Sequence, residues 1–228
     1  MTDVPRRAPR NRRSHQSHLL VMAKAPMPGK VKTRLCPPLT PAEAAVLATA
    51  ALADTLDAVA GCHAERKILA LDGSVGDWLP PGFEVIQQRG DSFNERLAAA
   101  WADAGGPGLQ IGMDTPQVNS DLLDRCLEAT FRPGITASLG RATDGGWWAI
   151  GLSQQWDSDV FTGVPMSTPS TGTIQLMRLE GAGHRVAQLP WLTDVDCIGD
   201  ALQVAVRAPR SRFAAVTRNL RPQLGGVA

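Results

Sequence analysis

Long apolar runs are missing from this chain. None of its 228 residues falls in a stretch of the ~18 consecutive apolar residues that a membrane-spanning helix needs. The apolar stretch at 19–23 is shorter than the ~7–15 residues of a signal-peptide core. The expectation is a cytoplasmic protein with no membrane span. Clustered cysteines are missing too. Cys36, Cys62, Cys126 and Cys197 lie far apart, with no C-x-x-C and no Cys/His spacing that suits zinc. They are expected as buried free thiols. His63 and His184 have no ligand partner at useful spacing. Charge of one sign is also lacking: the formal net charge is +1, which argues against a dedicated nucleic-acid binder. Neither a G-x-x-x-x-G-K-[ST] loop nor a G-x-G-x-x-G turn occurs. Internal repeats and interdomain linkers are absent as well.

What is present fits one globular domain. Apolar residues make up 43% of the chain, enough to build a core. Five arginines (Arg6, Arg7, Arg10, Arg12, Arg13) stand against Asp3 in residues 1–17. Taking these from the totals of 23 basic and 22 acidic residues leaves 18 and 21, a mildly acidic body. Residues 1–17, rich in Pro and Arg and without apolar periodicity, read as a disordered basic tail. The domain is expected over 18–210, with a weakly patterned basic tail at 211–228.

Apolar runs of strand length recur at 18–24, 66–71, 83–87, 109–113, 135–139, 147–152 and 185–189. Helical patterns lie between them. The clearest opens with Thr40 as N-cap, Pro41 at the first helical position and Glu43 closing a capping box. Asn119 is positioned to cap another helix. Strands alternating with helices predict an α/β fold with a mostly parallel sheet covered on both faces. The two strands around Gly145-Gly146 are close enough in sequence to pair antiparallel, giving a mixed sheet.

Ligands of open α/β sheets bind beyond the carboxyl ends of the strands, so the segments that follow strands are the candidate sites. After the first strand come Lys24, Lys30, Lys32 and Arg34 on a loop shaped by Pro26, Pro28 and Gly29. Lys supplies a point charge and Arg a bidentate fork, both suited to phosphate oxygens; a solvated basic loop is the alternative. Asp114, between Gly112-Met113 and Thr115-Pro116, suits either a hard cation or the capping of a turn. Asp144-Gly145-Gly146 puts two glycines between an acid and a strand, a sign of positive φ or close backbone approach. Trp147 and Trp148 then point to opposite faces of that strand. Asp194 and Asp196, at i and i+2, point the same way and offer either half a metal site or a helix cap.

In order, the segments MAKAPMPGKVKTRL, PPLTPAEAA, QRGDSFNERL, IGMDTP, ATDGGWWAIGL, VPMSTPST and DVDCIGDAL resemble the DUF2064 family of bacterial nucleotide-diphospho-sugar transferase-like proteins. That family is also described as arsenosugar-biosynthesis-type glycosyltransferases, and the likeness spans residues 19–202. It implies a GT-A fold, a Rossmann-like three-layer sandwich. It implies a transferase acting on a nucleotide-linked diphosphate with Mg²⁺ or Mn²⁺, taking a nucleotide sugar and a small-molecule acceptor. By this likeness Asp114 and Asp196 hold the metal, and Asp114 and Asp144 serve catalysis. Lys24, Gly29, Lys30, Lys32, Arg34, Gly145, Gly146, Ser167 and Thr168 bind the nucleotide or substrate. The chain departs from the family pattern at four places. Gly112 stands where the D-x-D motif has its first acid, and Met113 and Thr115 flank Asp114 where small residues are expected. Asn94 replaces a glycine and Trp147-Trp148 a tyrosine pair. The same segments resemble the phospholactate guanylyltransferases, which implies nucleotidyl transfer from a nucleoside triphosphate as the rival chemistry. A nucleotide-binding protein without catalysis is the third reading.

Overall fold

A computed structural model describes residues 17–154 and 160–224. In chain order the elements are β1 (His18–Lys24), α1 (Pro41–Gly61), β2 (Arg66–Asp72), β3 (Glu84–Gln87), α2 (Phe93–Ala104), β4 (Gly108–Gly112) and α3 (Ser120–Thr130). They continue with β5 (Ala137–Ala142), β6 (Trp147–Leu152), α4 (Thr171–Gly181), β7 (Val186–Leu192), α5 (Ile198–Arg207) and α6 (Arg212–Leu224). The seven strands form one sheet in the order β3-β2-β1-β4-β6-β5-β7. β6 runs antiparallel to both β4 and β5, and every other pairing is parallel. The expected mixed, mostly parallel α/β sandwich is therefore what forms.

Alternation along the strands divides the core. Leu19 and Val21 of β1 join Leu69, Leu109 and Ile111 under α1 and α3. Leu20 and Met22 face the opposite layer, with Ile68, Ile150, Leu97 and Trp101 under α2 and α4. Each fully buried leucine or isoleucine contributes ~1.5–3 kcal/mol relative to exposure, so the central strands set the register of the whole sheet. Local signals hold at the helix starts. Thr40 and Glu43 complete the capping box of α1, and the Asn119 side chain accepts from the Leu122 N–H. α1, 21 residues long, is long and apolar enough to cross a membrane, but it is a core helix packed against β1, α3 and α6. Of the cysteines, Cys62 and Cys126 are buried free thiols as expected, Cys36 is half-buried and Cys197 is exposed.

The C-terminal segment corrects the sequence reading. Instead of a tail from 211, Arg212–Leu224 form α6, which buries Phe213 and Ala214 beside α1 and α5. Its first N–H groups are satisfied from another helix: Asp54 of α1 accepts from Arg212 N (3.1 Å) and Phe213 N (2.7 Å). Ser211 adds a local cap, its Oγ accepting from Ala214 N at 2.9 Å, so the start of α6 carries a legible signal and only the weak apolar patterning after it hides the helix. The N-terminal tail expected at 1–17 lies, apart from Ser17, outside the described residues.

At the start of β1, His18 is fully buried edge-on to Trp101 (5.1 Å between ring centroids), and its Nδ1–H donates to the Gly105 carbonyl at 3.1 Å. Burial, then the Arg66 guanidinium, push the imidazole down from 6.5 to about 4, against that hydrogen bond and Glu84. Between these two values the unfolded chain binds the proton and the folded chain does not. Stability from His18 is therefore full above pH 6.5 and is lost as pH falls toward 4, by up to ~3 kcal/mol. Urea unfolding at pH 7 and pH 4 should show this loss in the native chain and a smaller one in His18→Gln. An equal loss in both proteins would refute the assignment.

Candidate active site

The carboxyl ends of six strands, and the start of β6, lie along one edge of the sheet. Three segments that follow strands meet there. The backbone N–H of Val195 donates to the Asp114 carbonyl at 3.0 Å, joining the segment after β7 to the segment after β4. Lys32 arrives from the β1 loop with φ 49°, a left-handed conformation that turns its side chain inward. Its ammonium lies 2.6 Å from Asp114 Oδ1 and also donates to the Val195 carbonyl. Only 7% of that side chain is exposed. Arg34, two residues on, is exposed and ion-paired to Asp196.

This arrangement is electrostatically tense. Burial pushes the Lys32 ammonium down, but Asp114, then Asp194, the Asp114 hydrogen bond and Asp196 outweigh it, so its pKa is held above the usual value. Asp194 shows the reverse. Burial and then Asp114 push its carboxyl up, Lys32 opposes them, and Asp196 and Asp144 add to the rise, which reaches about 8. Asp114, Asp194 and Asp196 around one buried ammonium, with Asp144 beyond Asp194 and one exposed guanidinium on Asp196, form an acidic pocket of oxygen donors. Such a donor set fits a hard divalent cation bound partly through phosphate oxygens and water. Asp114 and Asp196 would hold it, with Asp194 beside them. Among the described residues, no three His, Cys, Asp or Glu side chains are already gathered as a cage.

Two concavities flank these acids. The smaller, about 240 Å³, is lined by Lys24, Lys30, Lys32 and Arg34. The larger, about 550 Å³, lies on the α2/α4 side and is lined by Met22, Leu97, Gln110, Trp147, Thr168 and Asp144, among others. Arg34, Asp114 and Asp196 belong to both and form their common wall. One side is thus cationic, the wall acidic, and the far side mostly neutral.

The Asp144-Gly145-Gly146 turn shapes the large cleft through backbone contact. Gly145 has φ +92°, and a Cβ there would sit 2.0 Å from the Pro169 carbonyl oxygen. Its own carbonyl accepts from Gly172 N at 2.8 Å, so the turn is held against the start of α4. Asp144 is exposed at the tip, and its Oδ1 accepts from Gly146 N at 2.8 Å. The close approach expected from the two glycines is to another segment of backbone. Trp148 is 2% exposed, with its indole N–H donating to the Pro190 carbonyl at 2.8 Å. Trp147, on the opposite face, stacks on Phe161 at 6.0 Å between centroids.

The expected site residues are mostly brought together, though not all in the expected posture. Lys24 and Lys30 line the small cavity, and Lys24 also lies 3.7 Å from Asp72. Lys32 points into the acids rather than outward. Gly29 (φ +74°) sits in an exposed turn and lines neither cavity. Ser167 (φ 58°), Thr168 and Gly146 line the large cleft. Asp194 and Asp196 do not cap α5, whose N-cap is Cys197 with Asp200 reaching back. Asn94 is structural, donating to the carbonyls of Phe161 and Val164 at 2.8 Å each. Gln110 is a lining residue that sequence reasoning misses, an amide inside an apolar strand with nothing local to mark it. Gly112, in the place of an acid, has open space where a Cβ would stand.

Residues 44–168 match the family described as "Uncharacterized protein conserved in bacteria (DUF2064)". A crystal structure of a candidate nucleotide-diphospho-sugar transferase from Desulfovibrio desulfuricans G20 superposes with a TM-score of 0.80 at 28% identity, over 92% of this chain and 97% of that one. A cytidylyltransferase from Leptospira borgpetersenii gives 0.54 at 12% identity over 92% and 96%. A CMP:2-keto-3-deoxy-manno-octonic acid synthetase complexed with CTP gives 0.50 at 13% over 85% and 98%. At those identities the last two share the fold alone. No curated protein matches the chain.

Proposed function

The chain belongs to the DUF2064 family, and on that premise we propose that it is a divalent-metal-dependent transferase acting on a nucleotide-linked diphosphate, with a nucleotide sugar as donor. The observation that carries this reading is the shared wall. Asp114, Asp196 and Arg34 separate a cationic cavity from a larger neutral cleft. A diphosphate bridging that wall would place its anionic oxygens against Lys24, Lys30 and Arg34 and its uncharged end in the cleft. Likeness to the Desulfovibrio protein supports the same substrate class.

Each part of the wall has a task. Lys24, Lys30 and Arg34 supply fixed positive charge where the leaving diphosphate gains negative charge, and they do so without reorganising. Lys32 holds Asp114 in place by its 2.6 Å contact and keeps the acids together. Asp114 and Asp196 would hold Mg²⁺ or Mn²⁺, which would supply Lewis-acid neutralisation of the leaving group. Asp144, exposed at the rim of the cleft, binds hydroxyls of the sugar or acceptor there.

Nucleotidyl transfer is the second reading, favoured by the cytidylyltransferase fold and by four cations on one loop. It breaks the α–β phosphoanhydride, whereas glycosyl transfer breaks the sugar C1–O bond. Thermal shift against nucleoside di- and triphosphates and nucleotide sugars, with and without Mn²⁺, decides between them. Stabilisation by one nucleotide sugar and its diphosphate, only with metal, is the expected result. Preference for a triphosphate would move the assignment to nucleotidyl transfer, and binding indifferent to metal would leave a nucleotide-binding protein without this catalysis.

A further inference from the structure

The floor of the large cleft holds polar atoms that nothing satisfies. Gln110 sits in the middle of central strand β4, between Leu20 of β1 and Ile150 of β6, and is fully buried. Neither its amide nitrogen nor its amide oxygen has a hydrogen-bond partner among the described residues, although the side chain lines the cleft. Thr115, 1% exposed, lines the same cleft with an unpartnered hydroxyl, and so does Trp147 with an unpartnered indole N–H. A buried amide without a partner is costly, and apolar side chains occupy the neighbouring positions of β4. Three such groups facing one cavity imply a ligand that completes them.

The chemistry of that ligand follows from what lies around the floor. Among the described lining residues Arg34 is the sole cation, and it is on the wall, paired to Asp196. The floor therefore has nothing to neutralise a phosphate or carboxylate, and the acids of the wall repel one. An amide offers both donors and an acceptor, a hydroxyl does the same, and an indole N–H only donates. That combination suits adjacent hydroxyl groups, each of which both donates and accepts. Met22, Leu97 and Trp147 supply apolar surface beside them. Trp147 already has Phe161 stacked on it at an interplanar angle of 10°. The indole thus meets the cleft as part of a rigid aromatic pair.

We propose that Gln110, Thr115 and Trp147 form a subsite for an uncharged, hydroxyl-rich group, the sugar carried by the nucleotide, and that Gln110 is the residue that selects it. The inference rests on the nucleotide-sugar reading for the identity of the group, and on the unpartnered atoms for the subsite itself.

The test compares the full chain with Gln110→Leu, which keeps the volume and removes both polar atoms. UDP-glucose, GDP-mannose and ADP-glucose are titrated calorimetrically beside UDP, GDP and ADP, with Mg²⁺ or Mn²⁺ present, and the melting temperature of each free protein is recorded. Gln110→Leu should weaken the preferred nucleotide sugar by about tenfold or more, the worth of a lost hydrogen bond to a buried group, and leave its diphosphate within about twofold. The free variant should melt no lower than the native chain, since it no longer buries an unpaired amide. Unchanged affinity for the nucleotide sugar would overturn the proposal, as would equal weakening of sugar nucleotide and diphosphate. A lower melting temperature would also overturn it, because the amide would then be satisfied inside the fold. If the native chain binds no nucleotide, the proposed function fails separately, and free glucose and mannose become the probes. A thermal shift present in the native chain and lost in Gln110→Leu would keep the subsite, and no shift would overturn it.

Discussion

Asp114→Asn is expected to reduce turnover by at least ~10²-fold, together with a comparable loss of divalent-cation affinity. Asparagine keeps the shape of the side chain and removes its charge, so a steric explanation is set aside. Asp114 belongs to the wall shared by both cavities, and its Oδ1 is 2.6 Å from the Lys32 ammonium. The substitution therefore removes a metal ligand and leaves a buried cation short of one partner. Lys32 retains the Val195 carbonyl and the field of Asp194 and Asp196, so the chain should still fold with a lower melting temperature. Metal titration of the folded variant separates the two effects. Full turnover and native metal affinity in Asp114→Asn would remove Asp114 from the catalytic assignment.

The second large effect belongs to Lys32. Replacing it with methionine preserves the apolar stem and deletes the charge that holds Asp114, Asp194 and Asp196 together. Removing one member of a buried ion pair costs ~3–5 kcal/mol. Because Asp114 is 36% exposed and water screens it, ~2–3 kcal/mol is the better expectation here. The loss should depend on pH in a defined direction. Asp194 is pushed from 3.8 to about 8 in the folded chain by burial and then Asp114, against the pull of Lys32. The folded state therefore keeps a proton that the unfolded state has released across that interval. Stability from this group is present at low pH and is lost as pH rises toward 8, with a slope no steeper than ~1.4 kcal/mol per unit. Without Lys32 the carboxyl is pushed higher still, so Lys32→Met should be weakest near pH 8 and closer to native at pH 5. Millimolar Mg²⁺ or Mn²⁺ should restore part of the stability at pH 8 by supplying the missing positive charge. Unfolding curves at the two pH values, with and without metal, test this. A variant as stable as the native chain at pH 8, or one that metal does not rescue, would show that Lys32 is not the counter-ion of these acids.

These two residues also show how far the sequence could be read. Asp114 was visible as an acid at the end of an apolar strand, with glycine before it and proline after it. Lys32 was visible only as one cation of four on a loop suited to phosphate. Nothing in its local context separates it from Lys30, yet Lys30 is exposed at the small cavity and Lys32 is turned inward. The difference arises from a left-handed backbone at Lys32 and from carboxylates 82 to 164 positions away, beyond the reach of any spacing argument. Gln110 is the same case in reverse. Its strand was legible from the apolar run, but a single amide in that run has no meaning until the cavity in front of it is seen.

The sequence alone determined the alternation of strands and helices, the start of α1 at Thr40, and the end of the sheet on which the candidate site residues gather. Those features are written in short-range periodicity, in capping residues and in the rule that loops at strand carboxyl ends face ligands. Tertiary structure alone decided which charges meet, which polar groups are left without partners, and that Asp54 of α1 joins Ser211 in capping α6. The physical reason is range. Backbone conformation answers mainly to neighbours within a turn or a strand, whereas burial and electrostatics depend on groups that the chain brings together only after it has folded.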